Sequence, residues 1–142
     1  MLRFIALSGT IGVTENLNVY ETEKDLILLD CGIGFPDLEM PGVDLVIPDF
    51  SYVVKNKHKL KAIVLSQGHE DHIGSLPFLF RSVNAPIYCA PLVSEFVIDE
   101  LVDKGVDVHY YDLNEGLHVS GHGYKEDIKM LFYNQLLGLV KI

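Results

Sequence analysis

The sequence predicts an α/β layered domain, and three observations carry that expectation. Two or three antiparallel strands open the chain, alternating strands and helices follow, and the 142 residues are 49% apolar, enough to bury one core. Leu2 to Leu7 reads as the first strand. Leu17–Tyr20 and Leu26–Asp30 read as a hairpin turned at Glu23-Lys24-Asp25. A loop rich in Gly, Pro and Asp runs from Gly32 to Pro48, and Phe50–Asn56 suits a short helix. Ala62–Leu65 is a continuous apolar run ended by Ser66, as expected of a strand buried on both faces. From His72 to Val83, Ile73, Leu76, Leu79 and Phe80 repeat at helical spacing, with Pro77 in an early turn where proline is tolerated. Pro86–Cys89 reads as a strand, and Leu92–Lys104 as a helix stopped by Gly105. Val106–Tyr111 reads as a strand. Tyr124–Leu137 reads as a last helix, with Ile128, Leu131 and Phe132 on one face. No repeat or low-complexity segment interrupts this order.

The formal charge of −9 argues against a general nucleic-acid binder, because phosphate contacts need Lys and Arg. The one basic cluster, Lys55, Lys57, Lys59 and Lys61, reads as a solvated helix end and loop. Cys31 and Cys89 follow strand-like runs and form no metal-type pair, so buried structural thiols are expected. No apolar run approaches the ~18 residues of a membrane span. The N-terminal Met1–Leu7 run lacks the design of a secretion signal. These readings predict a cytoplasmic protein without a membrane partner.

Three segments concentrate reactive side chains. Ser66-Gln67-Gly68-His69-Glu70-Asp71-His72 lies where a buried strand passes into a helix, the end of a sheet where α/β proteins commonly hold ligands. Two imidazoles and a carboxylate there suit Zn²⁺ or Mn²⁺. A polar turn in which Asp71 or Ser66 caps the helix accounts for the same residues. His118-Val119-Ser120-Gly121-His122-Gly123 places two histidines and two glycines before the last predicted helix. Free N–H groups at such a point favour a phosphate-like anion, and a plain glycine turn is the alternative. Asp30-Cys31-Gly32 puts a carboxylate at a strand end, from which it could orient a metal ligand. His58 and His109 stand alone.

In combination these segments resemble the ribonuclease J family, in the β-CASP branch of the metallo-β-lactamase superfamily. Gln67–His72 is similar to the superfamily's H-x-H-x-D-H motif, and His118–His122 to the H-V-S-G-H motif of that branch. Leu29–Gly32, Phe35-Pro36-Asp37, Gly42–Asp49 and His72–Pro77 also resemble ribonuclease J. The resemblance implies an αββα sandwich in which two metal ions activate water and clamp an RNA phosphodiester. It implies an enzyme acting as 5′-exonuclease or endonuclease in RNA processing and decay, and one that dimerises. It makes His69 a ligand of the first metal, and Asp71 and His72 ligands of the second. It also implies that Asp71 would lie near the catalytic water, that Asp30 would support the ligands, and that Ser120, Gly121 and His122 would hold the RNA phosphate.

The chain departs from the family pattern. Gln67 stands in place of the motif's first histidine, and a Gln amide is a poorer ligand for Zn²⁺ than imidazole. The downstream ligand segments and the β-CASP insert have no counterpart in this sequence. Ser8–Asn16 lacks the family's glycine-rich loop with its Gly-Glu pair. The expectation is a single incomplete domain, residues 1–142, with 1–104 matching the family's N-terminal part and 112–137 a later segment. Fewer than two metal ions are expected. Three functions stay open: a ribonuclease J-type hydrolase, weakly active or inactive alone; a catalytically silent RNA-binding or dimerisation module; and a gene fragment without an independent role. The partners expected are RNA and a second copy or a related subunit.

Overall fold

The structure, a computed structural model, describes residues 1–9 and 14–104, together with the backbone of three later strands. The chain forms β1 (Arg3–Ala6), β2 (Asn18–Glu21), β3 (Leu26–Leu29), α1 (Ser51–Lys55), β4 (Leu60–Val64), α2 (Glu70–Ile73), α3 (Leu76–Leu79), β5 (Ile87–Cys89) and α4 (Pro91–Asp103). The later strands are β6 (Val108–His109), β7 (Leu117–Val119) and β8 (Ile128–Phe132). All eight join one sheet in the order β1-β2-β3-β4-β5-β8-β7-β6. The first three strands are antiparallel neighbours, and β3, β4, β5 and β8 run parallel.

Strand alternation sorts the side chains of the sheet into two faces. Val19, Leu28, Ile63 and Ile87 stand opposite one another across four strands, and all are buried. They share a cluster with Val53 of α1, Ile73 of α2, Leu76 and Leu79 of α3, and Val97 and Leu101 of α4. On the other face Phe4, Tyr20 and Ile27 form an exposed row across β1, β2 and β3. One sheet with helices packed on a face is a partial metallo-β-lactamase-like α/β layer, as the sequence predicts. Among the described residues no helix is long and apolar enough to cross a membrane. Cys31 and Cys89 are free and buried; burial pushes the Cys31 thiol up, with the Asp30 charge adding, and pushes Cys89 up to about 12.

Three expectations need correction. Tyr124–Leu137 does not form one helix: its described part, Ile128–Phe132, is β8, pairing parallel with β5 and antiparallel with β7. Ile128–Phe132, apolar except for Lys129, satisfies both periodicities, and the open edge of β5 decides between them by offering backbone partners. The helix start expected at His118–Gly123 lies for the most part outside the described residues. His118 and Val119 lie in β7, whereas Ser120, Gly121 and His122 lie outside the described residues. The helix predicted over His72–Val83 begins earlier, at Glu70, and is broken in two between Ile73 and Leu76. There the Ser75 N–H leaves the helical ladder for the Cys31 carbonyl (3.0 Å), and its hydroxyl donates to the Gly32 carbonyl (2.7 Å). The lysine cluster is not wholly solvated either. Lys59 pairs with buried Glu21 at 3.0 Å, while exposed Lys61 stays 3.8 Å from Asp25.

Candidate functional site

The candidate site begins where β3 ends. The Asp30 N–H still donates to Val64 of β4 (2.9 Å), but its φ of 63° turns the chain out of the strand. That left-handed conformation costs most L-residues energy, and Asp is among the few that adopt it readily. The turn aims the buried carboxylate across the end of β4. It accepts the Ser66 N–H at 2.8 Å, the Ser66 hydroxyl at 2.8 Å on Oδ2, and His72 Nδ1 at 2.9 Å.

The four-residue α2 is too short to be stable alone, and backbone bonds fasten it to the segment after β3. Cys31 N–H donates to the His72 carbonyl (2.7 Å), Ile33 N–H to Glu70 (3.0 Å), and Asn16 N–H to Asp71 (3.0 Å). Gly32 permits the approach: a Cβ there would lie 1.6 Å from the Asp71 carbonyl oxygen. No side chain caps α2, whose N-cap is His69. The capping role considered for Ser66 and Asp71 is therefore not the one they take.

These constraints orient His72. Both ring nitrogens face a carboxylate, Nδ1 that of Asp30 at 2.9 Å and Nε2 that of Asp71 at 3.4 Å. In the neutral ring the proton belongs on the side of the nearer one, so Nδ1–H points to Asp30 and Nε2 presents its lone pair. Nε2 faces the Gln67 amide nitrogen at 2.8 Å, Asn16 Nδ2 at 3.3 Å and Asp71 Oδ2 at 3.4 Å. The Asn16 amide also donates to the Asp71 carbonyl and carboxylate, at 3.0 and 3.3 Å. Gln67 Oε1 accepts from His69 Nδ1. The structure thus brings together Asp30, Gln67, His69, Asp71 and His72.

By chemistry His69, Asp71 and His72 suit a divalent ion. As arranged they do not fit one: among the described residues no three His, Cys, Asp or Glu side chains converge to hold a metal. His69 Nδ1 and His72 Nε2 both point at the Gln67 amide instead. Two residues at the site escaped the sequence analysis. Asn16 ends the Ser8–Asn16 loop, which departs from the family pattern. Ser66 offered itself only as a cap, and its position directly after a buried strand was the signal that it could meet the carboxylate at the neighbouring strand's end.

The model of the metallo-beta-lactamase superfamily matches residues 12–132. Ribonuclease J 1 of Streptococcus pyogenes serotype M3 is 37% identical over 117 residues, which are 81% of this chain and 21% of that protein. Ribonuclease J 2 of Staphylococcus aureus is 37% identical over 115 residues, 80% of this chain and 21% of that protein. The chain spans about a fifth of the length of these relatives. The solved structure of human tRNase Z, short form, aligns with a TM-score of 0.40 and 17% identity, covering 66% of this chain and 36% of that one.

Proposed function

The chain belongs to the metallo-beta-lactamase superfamily and is ribonuclease J-like over most of its length, and on that premise we propose that it is a partial nuclease domain with little or no hydrolytic activity of its own. Kinship supports a nuclease-like role and suggests metal binding. RNA as the substrate class rests on the relatives' names, ribonuclease J. The observation that carries the silent reading is Gln67 between His69 and His72, in place of a converging ligand set. Hydrolysis by two metals needs several ligands, each held by neighbouring groups. The Asp30 carboxylate, 2.9 Å from His72 Nδ1, would support a ligand, but the set it would support is short.

In this reading His69, Asp71 and His72 are what remains of the ligands for Zn²⁺ or Mn²⁺, and Asp71 is what remains of the catalytic machinery. Ser120, Gly121 and His122, between β7 and β8, would contact an RNA phosphate. The net charge of −9 keeps that contact weak and sensitive to salt. A second copy or a related subunit would have to supply the other ligands. The test is a 5′-monophosphorylated RNA incubated with Mn²⁺ or Zn²⁺, alongside an anisotropy titration at low salt. The RNA should survive, and it should bind weakly. Cleavage abolished by His69→Ala or Asp71→Ala would overturn the silent half of the proposal, and an absence of binding would overturn the RNA half.

A further inference from the structure

We propose that the Gln67 carboxamide acts as an internal substitute for a metal ion, locking His69 and His72 to each other. The inference deepens the reading of a silent nuclease-like site and rests on it. The Asp30 carboxylate holds the Nδ1 proton of His72 (2.9 Å), so Nε2 is an acceptor. Of the two ends of the Gln67 amide the NH₂ end can satisfy it, and that end is the nearer of two amide donors, 2.8 Å away against 3.3 Å for Asn16 Nδ2. The carbonyl end is then directed at His69, whose Nδ1 it meets as a donor. One planar amide therefore answers an imidazole acceptor at one end and an imidazole donor at the other.

A single metal ion cannot reproduce this arrangement. It needs a lone pair from each imidazole, at about 2.0–2.1 Å for Zn²⁺. Here His69 offers an N–H to the amide, and the amide group itself lies between the two rings. For an ion to enter, Gln67 must swing out and His69 must change tautomer or turn its ring. Asp71 stays near His72 Nε2 at 3.4 Å, so one carboxylate and one imidazole are on hand, which is too few to displace the bridge. The Asn16 amide, 3.3 Å from the same nitrogen, adds a second neutral donor where a cation would have to sit. The consequence is a motif that keeps its shape without metal.

The test uses the whole chain, stripped with chelator and titrated with Co²⁺ while visible absorption and thermal unfolding are followed. The wild type should show no tetrahedral Co²⁺ band, and its Tm should be the same with Co²⁺ or with EDTA. Gln67→His should gain a band and a Co²⁺-dependent rise in Tm, with an affinity roughly tenfold or more above the wild type. A stoichiometric band in the wild type that Gln67→His does not strengthen would overturn the proposal. Should the variant fail to fold, ¹⁵N-edited spectra of the wild-type rings decide. A His72 ring protonated on Nδ1, with both rings unmoved by equimolar Zn²⁺, supports the bridge; Zn²⁺-induced shifts on both rings overturn it. RNA cleavage is read separately, so tight metal binding without cleavage would defeat the bridge and leave the silent reading standing.

Discussion

Two buried carboxylates sit at opposite ends of the same strands and are satisfied in different ways. Glu21, 1% exposed, ends β2 opposite the start of β3; Asp30, 4% exposed, follows the end of β3. Glu21 accepts from Lys59 (3.0 Å), the Tyr52 hydroxyl (2.7 Å) and Arg3. Hydrogen bonds from Tyr52, Lys59 and Arg3 hold its carboxyl down at about 2. This cluster ties β1, β2, α1 and the approach to β4 together, and its charges are spent on one another. Asp30 instead takes neutral donors from Ser66 and a single imidazole. The second nitrogen of that imidazole is turned to the Gln67 amide, at the carboxyl end of parallel strands where ligands bind. A carboxylate surrounded by cations fastens a fold. One held by neutral donors and a histidine arranges a site.

The largest expected effect strikes the Asp30 end alone. In Gly32→Ala the new Cβ meets backbone of Asp71, its carbonyl carbon at 2.0 Å, and neither side can move without losing the bonds that fasten α2. Urea unfolding should show a loss of more than about 3 kcal/mol. Stability equal to the wild type would mean α2 is loosely held, and the contrast between the two ends would collapse. Next comes Asp30→Ala, which strips the Ser66 N–H, the Ser66 hydroxyl and His72 Nδ1 of their acceptor. A cost of about 1.5–3 kcal/mol follows from the loss of hydrogen bonds to a charged acceptor, at the low end because exposed Ser66 can turn to water. Asp30→Asn should recover part of it, because Asn tolerates the 63° φ and keeps one acceptor oxygen. If Asn is no better than Ala, the carboxylate's charge rather than its hydrogen bonds holds this end.

The smallest effect at neutral pH, and the one that sharpens the comparison in acid, is Glu21→Gln. The carboxyl is depressed from 4.5 to about 2, so its contribution to stability is complete above about pH 4.5 and disappears as pH falls through about 2. Tm measured from pH 5 down to about 2 should fall more steeply for the wild type than for Glu21→Gln. Parallel curves would show that the cationic cluster adds no acid-sensitive stability.

Much of the site was legible because its residues are adjacent in the chain. Gln67, His69, Asp71 and His72 crowd one turn, and Asp30 ends an apolar strand, so a motif and a strand terminus announced them. Asn16 was not legible: it reaches Asp71 and His72 only because β2 and β3 form a hairpin beside α2. Lys59 looked like one of several solvated lysines until the sheet placed it against Glu21. The Ile128–Phe132 run carried the apolar spacing of a helix, and the unsatisfied edge of β5 made it a strand.

By itself the sequence determined the layered α/β class, the hairpin of β2 and β3, the helix after β5 and the kinship with metallo-beta-lactamase nucleases. These depend on local periodicity and on short motifs, which the chain carries wherever it folds. Tertiary structure decided what the motif does. Whether Gln67 would hang in solvent, join a metal or bridge two imidazoles could not be read from its place in the chain. The answer depends on Asp30, 42 residues before His72, fixing one ring proton and so the polarity of every hydrogen bond beyond it.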